Sequence, residues 1–181
     1  MKDIASHILD ITENSVRAGA SLIEINVEIN KEKGLYAFSI KDNGKGMKPE
    51  QVEELQDPFY TTRTTRKVGL GIPLLYQNCE MSGGKVNIDS TFGLGTTLKA
   101  SFCLSHIDCL PEGEIADVFV NIATGYPKAD FVFSYTTPKG AFNLDTRDIK
   151  EMFEGLPINN LDVVCGLKEI VKNNIRDLKF N

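Results

Sequence analysis

Asp10, Glu13 and Asn14 crowd three oxygen-bearing side chains into just over one helical turn of "DITENSVRAGA". Oxygen donors so close together suit a hard cation and a reacting water. Mg²⁺ prefers oxygen ligands, keeps several waters and takes one or two protein groups beside phosphates. The side-chain oxygen of Asn14 is the expected metal ligand. Glu13 is the expected catalytic group, placed to orient or deprotonate a nucleophile near a terminal phosphate. Asp10, one turn earlier, supports either through water.

A second acid stands where an apolar residue belongs. In "LYAFSIKDNG", Tyr36, Phe38 and Ile40 share one face of a strand, and Asp42 is next on that face. A carboxylate beside an apolar pocket is costly unless a partner donates to it. The exocyclic amine of adenine is such a donor. Thr96, also inward-facing, can hold a water or a ring nitrogen next to it. Gly44 and Gly46 let backbone approach a flat base, and Met47 can pack on the ring. In "VGLGI", Gly69, Leu70 and Gly71 open a helix and expose N–H groups suited to phosphates. Arg63, Arg66 and Lys67 lie just upstream on a loop able to close over them.

The elements that carry these residues follow from periodicity. A helix is expected from about Ile4 to Ala18, with Ile4, Ile8, Ile11 and Ser15 along one side and Gly19 ending it. "SLIEINVEIN" alternates, with Ile23, Ile25, Val27 and Ile29 on one face. "PEQVEELQ" is a short helix with Pro49 in its first turn. "DPFYTTRTTRK" has no period and is expected as a loop. A helix through "GIPLLYQNCEM" ends at Gly83 and Gly84, and "KVNIDSTFGLGTTLKASFCL" forms a hairpin. Beyond Ser105 come a helix with Ile115, Val118, Phe119 and Ile122 in register, a hairpin turning near Pro138–Gly140, and helices over roughly Asp148–Leu156 and Leu161–Leu178. The fold class is thus α/β (α+β): a mixed, mostly antiparallel sheet with helices on one face. An α-β-β-α-α extension follows, joining that sheet or packing separately.

The totals narrow the setting. The 181 residues are 41% hydrophobic and 25% charged, which predicts a packed core rather than disorder. A net charge of −5 argues against a nucleic-acid surface. No apolar run reaches the ~18 residues of a membrane span, and the start does not resemble a signal peptide. The four cysteines have no disulfide-framework spacing. Reduced thiols and a cytoplasmic location are expected; "CLSHIDC" is read as incidental thiols rather than a metal site.

Taken in order, these stretches resemble the GHKL superfamily of ATPases: gyrase, the heat-shock chaperone, histidine kinases and MutL. "ENS" with "AGA" resembles the N box, "DNGKGM" the G1 box, "DPFYTTR" the F box, "VGLGI" the G2 box and "FGLGTTL" the G3 box. The resemblance covers residues 1–104 and leaves 105–181 outside it. It implies the Bergerat fold, a two-layer α/β sandwich holding ATP between loops at the sheet end. The first motif is similar to MutL-type proteins, in which the glutamate helps hydrolyse ATP. The F, G2 and G3 motifs are more similar to histidine kinases, although Lys67 stands where kinases usually have glycine. Kinases also carry a helical hairpin with the phosphorylated histidine upstream, and this chain begins at the N-box helix. His7 is expected at the pocket rim or in packing.

Three functions compete on this reading. One is a stand-alone kinase module that binds Mg·ATP and passes the γ-phosphate to a partner protein. Another is a slow, MutL-like ATPase acting as a nucleotide-driven switch. The third is a binding module in which ATP is structural.

Overall fold

The computed structural model describes residues 2–56, 71–153 and 155–180. The expected phosphate-loop residues Arg63, Lys67, Gly69 and Leu70 lie outside the described residues, as do Arg66 and the "DPFYTTR" stretch.

Helix α1 spans Ile4–Arg17. Asp3 caps its start by accepting from the Ser6 N–H at 2.7 Å. Its end falls at Arg17 because Ala18 is already the cap and Gly19 turns left-handed at φ 79°. The Gly19 and Ala20 N–H groups then satisfy the Val16 and Ser15 carbonyls. Strands β1 (Leu22–Asn30) and β2 (Leu35–Asp42) form a hairpin. Helices α2 (Pro49–Gln56) and α3 (Gly71–Met81) follow. The β3–β4 hairpin (Lys85–Thr91 and Gly95–Cys103) completes the first part.

The remainder extends the same sheet. After α4 (Ile115–Gly125), strand β5 (Asp130–Thr137) runs parallel to β1, and β6 (Gly140–Asp145) pairs antiparallel with β5. Among the described residues the order is β3-β4-β2-β1-β5-β6. Helix α5 is Thr146–Met152 and α6 is Leu161–Phe180. α5 begins and ends earlier than its periodicity suggests. Asp145 caps it through the Arg147 N–H, and the chain turns at Phe153 well before Leu156.

Alternation along the strands decides the layers. Ile23, Ile25, Val27, Tyr36, Phe38, Ile40, Phe131, Phe133 and Tyr135 are all buried under the helices. Asn26, Glu28, Lys41 and Lys99 on the other face are exposed. Burying each such aliphatic or aromatic side chain contributes about 1.5–3 kcal/mol, so the sheet's register is strongly specified. The backbone of residues 111–112 also holds α1. The Pro111 and Glu112 carbonyls accept from Ile4 and Ala5 N–H at 2.9 and 2.8 Å, which satisfies two otherwise orphaned donors. Lys179 of α6 and the Tyr36 and Tyr135 hydroxyls meet at the Glu112 carboxylate.

Candidate functional site

Asp42 sits at the end of β2 with only 9% of its surface exposed. Its two oxygens are separately engaged. Ser15 of α1 donates its hydroxyl to Oδ2 at 2.7 Å, and the Gly44 N–H donates to Oδ1 at 2.8 Å. Each carboxylate oxygen accepts more than one bond, so acceptor capacity remains for a ligand donor. Ser15 continues the inward stripe of α1, which is how a helix and a strand end come to share one acid.

The G1 turn is braced on three sides. Asn43 accepts from the Ser21 and Leu22 N–H groups at 2.9 and 3.0 Å and donates to the Ser21 hydroxyl. Lys45 N–H donates to the Ala18 carbonyl at 3.0 Å, and Gly93 N–H donates to the Lys45 carbonyl at 2.7 Å. The "AGA" bend, the "DNGKGM" turn and the "FGLG" turn are therefore one hydrogen-bonded unit. Gly46 takes φ 60°, and a Cβ there would lie 2.1 Å from the Thr91 carbonyl oxygen. Its glycine is demanded by this approach of two turns. Met47 is half-buried against the core. Thr96 stands opposite Asp42 in the β2–β4 register.

At the other end, α3 starts at Gly71. A Cβ on Gly71 would fall 1.6 Å from Oδ2 of Asp10, so the Asp10 carboxylate lies directly against the first turn of α3. A helix amino terminus carries unpaired N–H groups and a partial positive charge, which attract an anion. Asn14 links the two ends. Its Nδ2 faces Asp10 Oδ2 at 3.4 Å, and its Oδ1 accepts from Arg17 at 3.0 Å. Between Asp10 and Ser15 the helix rises about 7.5 Å, a span a nucleotide bridges between phosphate and base.

Glu13 points elsewhere. Its carboxylate pairs with Arg17 at 2.7 Å and accepts from the Tyr126 hydroxyl of the α4 cap at 3.4 Å. A base role there requires release from both partners. His7 is wholly buried between α1 and α3. Its Nε2 faces the Asn78 amide nitrogen at 2.9 Å, so the ring accepts there, while Nδ1 has no partner among the described residues. Burial pushes its pKa down to about 4. It is a packing residue, not a rim residue.

The structure thus sets Asp10 and Asn14 of α1 beside the α3 start at Gly71, and gathers Asp42, Gly44, Gly46, Met47 and Thr96 around the end of β2, where Ser15 of α1 meets Asp42. Sequence reasoning passed over the supporting groups Ser15, Asn43 and Ser90. Only Ser15 had a visible signal, as a polar residue in an otherwise apolar stripe. Asp10 and Asn14 supply oxygen donors of the kind a hard cation beside phosphates takes, the Asn14 oxygen once released from Arg17. No group of three or more His, Cys, Asp or Glu among the described residues makes a self-sufficient metal site.

An α/β sandwich with glycine turns converging on a buried acid at one sheet end defines the GHKL class. Residues 2–106 match the family described as histidine kinase-, DNA gyrase B-, and HSP90-like ATPase. This chain belongs to that family. The peroxide stress-activated histidine kinase mak2 of Schizosaccharomyces pombe is 31% identical over 77% of this chain and 7% of its own length. Sporulation kinase B of Bacillus subtilis is 30% identical over 50% of this chain and 21% of its own. The chain therefore spans a small part of such relatives. Among solved structures, the N-terminal domain of a DNA repair protein superposes at TM-score 0.58 with 19% identity, covering 86% of this chain and 58% of that one. The Aquifex aeolicus MutL ATPase domain complexed with ADP superposes at 0.51 with 17% identity, covering 85% and 70%.

Proposed function

We propose that the protein binds Mg·ATP and acts as a histidine kinase-like module that passes the γ-phosphate to a residue on a separate protein in signalling. The observation that carries the nucleotide half of this is Asp42, a nearly buried carboxylate with free acceptor capacity, hydrogen-bonded to both α1 and the G1 turn; the kinase half is supported by the similarity to histidine kinases. In this reading Asp42 takes the base amine, Thr96 and Met47 complete the base end, and Gly44 and Gly46 shape the turn. The α3 start at Gly71 takes phosphate, together with Gly69, Leu70, Arg63 and Lys67. Asn14 holds the cation, which neutralises phosphate charge when bound. Residues 1–104 are the nucleotide unit and 105–181 its extension; a cytoplasmic setting belongs to the same proposal. No helix among the described residues is long and apolar enough to cross a membrane.

A second reading, slow hydrolysis driving a conformational switch, has support in the carboxylates of α1. Asp10 abuts the α3 start, whereas Glu13, expected from the sequence as the base, is held by Arg17 and Tyr126. Both readings meet one experiment. With γ-labelled ATP and magnesium, the kinase reading expects label on a co-encoded partner. The switch reading expects steady phosphate release without a partner, reduced on the order of 100-fold by substituting the working base. If Asp10→Asn abolishes release and Glu13→Gln does not, the base is Asp10; the reverse assigns Glu13. ATP bound with neither transfer nor release defeats both and leaves a binding module.

A further inference from the structure

Ser90 lies next to the last residue of β3, outside every glycine turn, yet three polar groups from two segments converge on its hydroxyl. The Met47 N–H approaches Oγ at 2.9 Å, the Gly95 carbonyl lies at 3.0 Å, and the Thr96 hydroxyl at 2.8 Å. The directions of these bonds follow from counting protons. A backbone N–H only donates and a carbonyl only accepts. With all three bonds formed, the single Ser90 proton goes to the Gly95 carbonyl. In that arrangement Thr96 donates its own proton to Ser90. Its oxygen is left with lone pairs alone, opposite Asp42 in the β2–β4 register.

We propose that Ser90 is a positioning residue for the base end of the site: it holds the G1 turn through Met47 and fixes Thr96 as a hydrogen-bond acceptor. This rests on reading the sheet end around Asp42 as a nucleotide site. The consequence is a base end that offers acceptors, the Asp42 carboxylate and the Thr96 oxygen. Such an edge selects a purine carrying a donor at carbon 6. Thr96 reaches an accepting ring nitrogen only through a water that donates to both. A purine with a carbonyl at carbon 6 instead sets an oxygen against the Asp42 carboxylate.

The test compares ATP with inosine triphosphate, which exchanges that amine for an oxygen, by calorimetric titration. Ser90→Ala frees the Thr96 proton and loosens the G1 turn. It should weaken ATP about fivefold, as expected for one net hydrogen bond, and weaken inosine triphosphate less, so the preference narrows. Ser90→Thr keeps a hydroxyl and should retain the preference. Thr96→Val leaves Ser90 and Met47 in place and should narrow it too, which keeps the test open if Ser90→Ala folds poorly. Hydrogen exchange at the Met47 amide should speed up in Ser90→Ala and stay slow in Ser90→Thr. Equal weakening of both nucleotides, or no change in either, overturns the role of Ser90. A wild-type protein that binds neither nucleotide overturns the nucleotide reading itself, a separate and prior failure.

Discussion

Replacing Asp42 with Asn removes one charge and almost no volume. Asp42 Oδ1 accepts from the Gly44 N–H and Oδ2 from the Ser15 hydroxyl. An asparagine can keep its carbonyl toward Gly44 and turn its amide toward Ser15, whose hydroxyl rotates to accept. Both local bonds survive, so the fold should lose about 1 kcal/mol or less, a melting shift of a few degrees for a chain of this size. The ligand fares worse. The carboxylate oxygens with spare acceptor capacity are now one neutral carbonyl and one donor, and the donor faces an amine. Hydrogen bonds to charged groups contribute about 1.5–3 kcal/mol, which is roughly 10- to 150-fold in affinity. Calorimetric titration with ATP and magnesium measures this, with a thermal melt as the folding control. An Asp42→Asn protein that melts normally and binds ATP within twofold of wild type would refute the assignment.

Two further outcomes test the frame around the site. The His7 pKa is depressed to about 4 by burial, against 6.5 in an unfolded chain. Between those values the unfolded state binds the extra proton, so stability is full above pH 6.5 and falls toward pH 4. The loss is at most about 3 kcal/mol. Denaturant titrations across that range should show it, and His7→Gln should flatten that part of the profile; an unchanged slope counts against a neutral buried imidazole. Gly46→Ala should destabilise by roughly 2–4 kcal/mol through the left-handed backbone and the clash with the Thr91 carbonyl. Gly93→Ala, also at positive φ but with nothing within 4 Å, should cost about 1–2 kcal/mol. Equal costs would mean the close turn-to-turn packing at Gly46 is not what demands glycine.

Much of the candidate site was legible because it breaks local rules. Asp42 interrupts the apolar alternation of β2, and a polar residue on a buried face has few explanations besides a partner. The glycine turns were legible for the same reason, since they sit where elements begin. The supporting groups were not. Ser90 matters only because β3–β4 pairing sets it opposite Thr96 while the G1 turn folds back to within 2.9 Å. Asn43 matters only because the start of β1 lies beside it. Neither fact has a local signature.

The sequence alone determined which segments are helix and which are strand, and which face of each is apolar. Periods of 3.6 and 2 are written in neighbouring residues. Tertiary structure alone decided that β5 joins β1 in parallel, so that the residues after 105 continue the first sheet. It alone also separated Asp10 from Glu13. Three residues apart on a helix, they point only about 60° apart, and the sequence reading gave the catalytic role to Glu13 and a supporting one to Asp10. What each one faces, the start of α3 or Arg17 and Tyr126, depends on elements distant in sequence. Local periodicity carries no information about those neighbours.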